Sequence, residues 1–334
     1  MSWVTWRQHR QEAVIGLGLL LLIGGYLVLT GLSMYHTAEQ WQLFSCRFDG
    51  GNVTSSCTLG MSDFESTFLN LSIITGGAIT ILPAIVGVFV GAPLIAREIE
   101  HHTHVLAWTQ SITRFEWFRT KFCYVCVATV IASSLLAGIS TWWYRPMDLA
   151  FIPEGPWHFF SVTGFVPIAY AVFSLGLGLA VGVVLRRTVA AMAATLVLFI
   201  GFRAAIQLIR PWFLSPSTKE LDFVNPAFPH DALLVSVGWV DPSGRAVSYN
   251  DVSVMLQQGF PGVVIGNGPS PLTETEAAAI NDYLHAHGLH YLVSFQPADR
   301  FWTFQGIEAG IFLAATLVLI AFTIWWLVRR VHAR

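Results

Sequence analysis

Residues 159–209 read FFSVTGFVPIAYAVFSLGLGLAVGVVLRRTVAAMAATLVLFIGFRAAIQLI, and this stretch decides the fold. Two apolar runs, 159–185 and 189–209, are separated only by Arg186, Arg187 and Thr188. A helix crossing the hydrocarbon core of a bilayer needs about 20 largely apolar residues at 1.5 Å each. Both runs meet that length, and the charged tripeptide between them suits a tight turn at a membrane surface. The chain therefore turns back through a bilayer here.

Outward from this pair, four more stretches qualify as spans: 13–34, 70–92, 121–144 and 303–328. The segment TGLSMYH after the first run offers no small-residue cleavage site, so that run reads as an anchor, not a signal peptide. Composition agrees: 54% of the 334 residues are apolar and 11% are charged, against roughly 25% charged in soluble domains. The same figures exclude a disordered chain, a coiled coil, a collagen-like repeat and a small disulfide scaffold. A formal net charge of −2 lacks the basic excess that phosphate neutralisation demands, which excludes nucleic acid as a partner. The expected fold class is mostly α: a polytopic membrane protein with six transmembrane helices and a small extracytoplasmic α+β subdomain between the fifth and sixth.

Cations set the expected orientation. Eleven of the 18 Lys and Arg residues fall at 1–12, 93–121, 186–188 and 329–334, and only six in the segments on the other side. Arg203 lies inside a span. Both termini are therefore expected in the cytoplasm. Trp142, Trp143, Trp157, Trp212 and Trp302 at one set of span ends, and Trp325 and Trp326 at the other, suit the amphipathic interface and read as lipid contacts.

Residues 210–302 are richer in Pro, Gly, Asp, Asn and Ser and contain no span-length apolar run. LLVSVGWV, Asp241-Pro242-Ser243-Gly244 and RAVSY read as a β-hairpin. Thr273-x-x-Glu276 is a capping box that opens a helix ending near Gly288, and HYLVSF follows as a strand. Loops of such length are usually functional. His285, His287 and His290 read as surface histidines because their spacing along a fraying helix is poor for a metal, and His101, His102 and His104 are read the same way; no metal is expected. Cys46 and Cys57 share the first outer loop, where an oxidising compartment permits a disulfide, with two free thiols as the alternative. Cys123 and Cys126 fall in the apolar start of the third span and read as packing residues.

Two ionisable groups lie inside spans, Arg203 and Glu308, both toward the outer edge. Charge at that depth is costly unless paired or wet. An Arg203–Glu308 ion pair is expected, with Arg203 snorkelling outward alone as the alternative. Gly178 and Gly182 make a small-xxx-small pattern that suits either close helix packing or a lipid-facing surface.

The segment between the second and third spans, 93–120, is the most informative for function. Ile95, Ile99, His102, Leu106 and Thr109 follow four–three–four–three spacing, one stripe of a helix. Thr113-x-x-Glu116 is a second capping box, so the helix breaks near Gln110-Ser111 and restarts toward the third span. The pattern is helix, break, helix, either a rigid elbow on the inner membrane face or a solvated amphipathic connector.

The order Arg97-Glu98-x-Glu100-x-x-Thr103-x-x-Leu106-x-x-Thr109, followed by Arg114-x-x-Trp117-x-x-x-Lys121, resembles the membrane subunits of type 2 ATP-binding-cassette exporters. The opening Ser2-Trp3-x-Thr5-Trp6-Arg7-Gln8 and the closing QPADRFWTFQGIEAGIFLA are similar to a permease branch common in actinobacteria. The resemblance implies that two permease copies pair in the bacterial plasma membrane and that each docks its elbow onto one of two ATPase subunits. It assigns coupling to Glu98, Glu100, Thr103, Leu106, Thr109 and Arg114. It places Trp3, Trp6, Arg7 and Arg10 on an interfacial helix along the inner leaflet, a role their aromatic and cationic character also supports. The implied organisation is an interfacial helix at 1–12, spans one to five at 13–209, the outer subdomain at 210–302, and the sixth span with its tail at 303–334. One departure is the outer segment, much larger than the short re-entrant hairpin common in the family.

No G-x-x-x-x-G-K-[ST] occurs, and neither Lys121 nor Lys219 follows a glycine. No cofactor is expected on this chain; ATP and Mg²⁺ would belong to the partner ATPase. HExxH and GxSxG are also absent, so the chain is not expected to be an enzyme. The rival reading is a membrane-anchored sensor or scaffold that uses 210–302 to bind a ligand or partner.

Overall fold

Helix α5 (Val166–Leu185) is apolar on every side, and sixteen of its twenty residues are buried. An all-round apolar helix belongs at the centre of a bundle, and four of the other five spans pack directly on it in the computed structural model of the chain. The structure describes residues 2–46, 55–101, 113–150, 154–224, 226–261 and 273–329. Around α5 stand α2 (Ser55–Ile85), α4 (Arg114–Ala150), α6 (Thr188–Ile209) and α9 (Phe301–Arg329), while α1 (Ser2–Gln40) packs outside them on α4 through Leu27, Met34, Trp143 and Met147. With α5 they are six helices long and apolar enough to cross a membrane. Their outward faces carry exposed apolar side chains such as Leu22, Leu29, Val189, Leu208 and Leu317, the surface a lipid environment covers.

Helix α2 contains Pro83 and passes through a π-helical turn, Val86–Gly91, into the short helix α3 (Ala92–Glu100). This stretch lies backbone-to-backbone against α5. A methyl group on Gly91 would come within 2.7 Å of the Leu175 carbonyl, and one on Gly182 within 2.7 Å of the Ala92 carbonyl. Gly178 is equally tight against Gly87 and Ala92. Gly178 and Gly182 therefore serve helix packing and do not face lipid.

The fourth span begins later than its hydropathy suggests. Phe159–Phe165 form turns, not helix, and α5 starts at Val166. Gly164 takes a left-handed backbone, φ +67, which glycine alone adopts without strain. The Gln305 side chain, fully buried on α9, completes the break. Its carbonyl accepts from the Phe165 and Val166 amides at 3.2 and 3.0 Å, and its amide donates to the Phe160 and Thr163 carbonyls at 3.0 and 3.3 Å. These are the donors that a helix start leaves open.

Between the fifth and sixth spans lies a four-stranded antiparallel sheet of order β1-β4-β2-β3, formed by Ser217–Glu220, Leu233–Val240, Ala246–Val247 and His290–Gln296. Helices α7 (Tyr249–Gly259) and α8 (Glu274–Ala286) close a small core with Trp239, Val252, Leu256, Ile280, Leu284 and Leu289. The capping box at Thr273 is present, with both reciprocal bonds to Glu276. The hairpin forms at Asp241, though the strand expected over RAVSY shortens to two residues because Ser248 caps α7. Gln296 ties the sheet to the bundle by donating to the Pro211 and Leu214 carbonyls at 3.0 and 2.7 Å. Cys46 and Cys57, on the connection between the first two spans, form a disulfide with Cα atoms 5.8 Å apart; Cys123 and Cys126 are free.

Candidate functional site: an elbow at one end and a buried ion pair at the other

At the end of the bundle opposite the sheet, α3 is fastened on two sides. The Lys121 ammonium, from the second turn of α4, pairs with the Glu98 carboxylate and lies 4.8 Å from the centre of the Trp117 ring. Glu100, two residues on and so on the other side of α3, accepts from the Thr188 amide at 2.8 Å and the Thr188 hydroxyl at 2.6 Å. Thr188 is the first residue of α6, so Glu100 supplies from a distance the carboxylate cap that a helix N-terminus favours. Ile95 and Ile99 turn inward onto Trp117, Phe118, Leu179 and Leu327. The first two members of the expected stripe, Ile95 and Ile99, thus lie on the packed face of α3, with Glu98 and Glu100 as fasteners to α4 and α6; its other members, His102, Leu106 and Thr109, lie outside the described residues.

The helix leading into the third span starts as its sequence indicates. Thr113 Oγ1 accepts from the Glu116 amide at 3.2 Å, and Glu116 accepts from the Thr113 amide at 3.4 Å. Thr103, Leu106 and Thr109 lie outside the described residues, as does the side chain of Arg114. At the N-terminus, α1 runs without a break from Ser2 into the first span; the side chains of Trp3, Trp6, Arg7 and Arg10 also lie outside the described residues.

At the sheet end the spans bury a charge cluster. Arg210 donates to Glu308 twice, Nε to Oε2 at 2.7 Å and Nη2 to Oε1 at 2.9 Å. Nη2 also donates to Ser161 Oγ at 3.1 Å, and the guanidinium stacks 4.3 Å from the Phe160 ring centre. The Tyr170 hydroxyl, from α5, donates to Glu308 Oε1. Glu308 is only 1% exposed, and these partners satisfy it. The expected Arg203–Glu308 pair is therefore corrected: Glu308 belongs to Arg210. Arg203 lies two turns earlier on α6, donates to the Thr80 carbonyl at 2.8 Å and stacks over Tyr170 at 4.5 Å. Thr80 sits in the turn of α2 that Pro83 loosens by removing a helical donor. Arg203 is thus held inside the bundle and does not snorkel alone.

The sheet brings together groups that are far apart in sequence. One ligand atom from each of Glu220, His285 and His290 lies within 4.8 Å of the others. His287 is separate: its Nδ1 donates to the Tyr283 carbonyl at 2.8 Å. Nearby, the Asp241 carboxylate accepts from the Ser243 hydroxyl and from the Arg245 and Ser243 amides, which hold its pKa down to about 2. Capping bonds from Thr273 likewise depress Glu276. Burial raises Asp231, whose carbonyl accepts from the Trp157 indole at 2.8 Å. The residues missed in the sequence are Arg210, Tyr170, Lys121, Thr188 and Glu220. Two carried a visible signal: Arg210, a cation at the edge of a span seven residues from Arg203, and Lys121, which closes the motif that begins at Arg114.

No curated protein and no solved structure gives a significant match to the chain. Residues 17–210 do match a family, the ABC-2 membrane transporter related proteins. That region runs from within the first span to the end of the fifth, includes the segment 93–120, and stops before the sheet. With more than half its length matched, the chain belongs to the ABC-2 membrane transporter related family.

Proposed function

We propose that this chain is the permease subunit of an ATP-binding-cassette exporter, moving substrate outward when a separate ATPase binds and hydrolyses ATP with Mg²⁺. Family membership implies the membrane and the ATPase partner. Direction, stoichiometry and mechanism are the inference. Two copies pair in a bacterial plasma membrane, each taking one ATPase, with both termini and the elbow in the cytoplasm and the sheet outside. The terminal motifs favour the actinobacterial branch.

The observation that carries the reading is how α3 is fixed. An element that transmits force from an ATPase has to be rigid relative to the spans it moves. Glu98–Lys121 and Glu100–Thr188 join α3 to the third and fifth spans at once. A push on the elbow then reaches both helices, and α5 between them through the glycine contacts.

The test is to purify the chain from its native membrane in mild detergent and identify what accompanies it by mass spectrometry. The expected result is a Walker-motif ATPase at one-to-one stoichiometry that is lost on replacing Glu98 and Glu100 by Ala. Absence of an ATPase, under conditions that keep other membrane complexes together, overturns the proposal in favour of a sensor or scaffold acting through the sheet.

A further inference from the structure

We propose that Glu220, His285 and His290 form a binding site for a divalent transition-metal cation of the zinc class, on the sheet-bearing segment between the fifth and sixth spans. The inference is independent of the permease reading.

The backbone builds this site from three elements. In the β1–β4 ladder Glu220 lies opposite Leu292. Paired residues project to the same side of a sheet, as do residues two apart on one strand. Glu220 and His290 therefore emerge together, and His290 Nδ1 lies 2.6 Å from Glu220 Oε1. His285 arrives from the last turn of α8. That helix ends in a Schellman motif: Gly288 has φ +73, its amide donates to the His285 carbonyl at 2.9 Å, and the Leu289 amide donates to the Leu284 carbonyl at 3.0 Å. Leu284 and Leu289 are both buried in the small core, the apolar contact such a motif favours. The sharp reversal folds β4 back beside the helix end, so that His285 Nδ1 comes 3.5 Å from the same Glu220 oxygen.

Two imidazoles and one carboxylate are a donor set for zinc, copper or nickel; calcium and magnesium prefer oxygen alone. Ligand atoms around a tetrahedral zinc stand about 3.3 Å apart. The His285–Glu220 separation is already near that value, and the closer His290–Glu220 pair needs to open by less than 1 Å. The hydrogen bond between His290 and Glu220 orients both groups before a cation displaces its proton. The side chains are 40–44% exposed, so solvent can deliver the ion and fill the fourth position. A bound ion would join β1, which follows the fifth span, to β4, which leads into the sixth.

The test uses the full-length, tag-free chain in detergent, stripped with chelator and titrated with zinc by calorimetry. One saturable site is expected. Glu220→Gln, His285→Ala and His290→Ala should each weaken it by about tenfold or more, while His287→Ala leaves it unchanged. A cobalt titration of the unsubstituted chain gives a readout that needs no variant: intense visible bands of four-coordinate Co²⁺. No saturable zinc site, binding indifferent to the three substitutions, loss of the site on His101→Ala instead, or cobalt spectra of purely six-coordinate type would each overturn the proposal.

Discussion

Arg210 and Glu308 meet fork to fork across the fifth and sixth spans, Nε to Oε2 at 2.7 Å and Nη2 to Oε1 at 2.9 Å, although 98 residues separate them in sequence. Both are buried, at 9% and 1% exposure. A two-point guanidinium–carboxylate contact fixes orientation as well as distance, so the pair locks the sheet end of α6 against α9. Removing one partner strands a buried charge. Arg210→Ala or Glu308→Ala should each cost about 3–5 kcal/mol, whereas the double change Arg210→Met/Glu308→Leu should be close to neutral. Unfolding of purified protein in detergent checks both. Arg203→Ala should leave the pair intact, and a charge swap between Arg203 and Glu308 should rescue nothing.

Glu98 and Lys121 form a part-buried pair, with side chains 19% and 9% exposed. Truncating either should lower stability by about 1–3 kcal/mol. The double truncation should cost less than the sum of the single ones, because the second change removes a charge already stranded. A double-mutant cycle on unfolding free energy measures that coupling. Thr188→Ala should remove the hydroxyl bond to Glu100, leave the amide bond, and modestly raise hydrogen exchange in the first turn of α6.

Gly178 and Gly182 sit against backbone atoms of the π-helical turn and α3, which cannot yield as a side-chain end can. Gly178→Ala and Gly182→Ala should each destabilise by about 1–3 kcal/mol. Gly306 and Gly310 on α9 have open space where a methyl group would go. Alanine there should do no harm, and the four variants can be ranked in one thermal-unfolding series.

The sheet-bearing segment should weaken in acid. The pKa of Asp241 is held down to about 2 by the Ser243 hydroxyl and the Arg245 amide, and that of Glu276 is depressed by the Thr273 amide and hydroxyl. A depressed carboxylate stabilises fully above its unfolded pKa of about 4, and the contribution fades as pH falls through the folded value. Protection of hairpin and α8 amides from hydrogen exchange should therefore drop between about pH 4 and about pH 2. Asp241→Asn and Glu276→Gln should flatten that dependence.

Reducing the Cys46–Cys57 bridge should lower stability by about 2–3 kcal/mol, the loop-closure value for so short a link. A Cys46→Ser/Cys57→Ser variant should melt at the same temperature with and without reductant.

What was legible in the sequence is what acts over a few residues. Six span-length apolar runs become six helices, because hydrocarbon tolerates only backbone whose polar groups are satisfied within the segment. Thr113–Glu116 and Thr273–Glu276 become capping boxes, since donor and acceptor are three residues apart. Helix α7 was visible in the same way through Ser248-x-x-Asp251 and was missed. The strand β1 was not visible: STKE has no apolar alternation and is a strand only because β4 offers it a ladder.

Everything that required two distant segments to meet was decided by tertiary structure. Hydropathy placed Arg203 and Glu308 at similar depth, but depth does not specify which faces of α6 and α9 turn toward each other. Packing around Phe173, Phe202 and Phe312 brings Arg210 to the carboxylate and sends Arg203 to Thr80. Spacing along one helix likewise made His285, His287 and His290 look like scattered surface groups. The β1–β4 register supplies Glu220, and the turn at Gly288 separates His287 from the other two. The sequence by itself determined that the chain lies in a membrane and which six runs form its spanning helices, because apolar length and local hydrogen bonds are short-range; where those helices start and stop, as at Val166, was set by packing. Partner choice among its charges belongs to the fold, because it depends on angles between helices that no local stretch encodes.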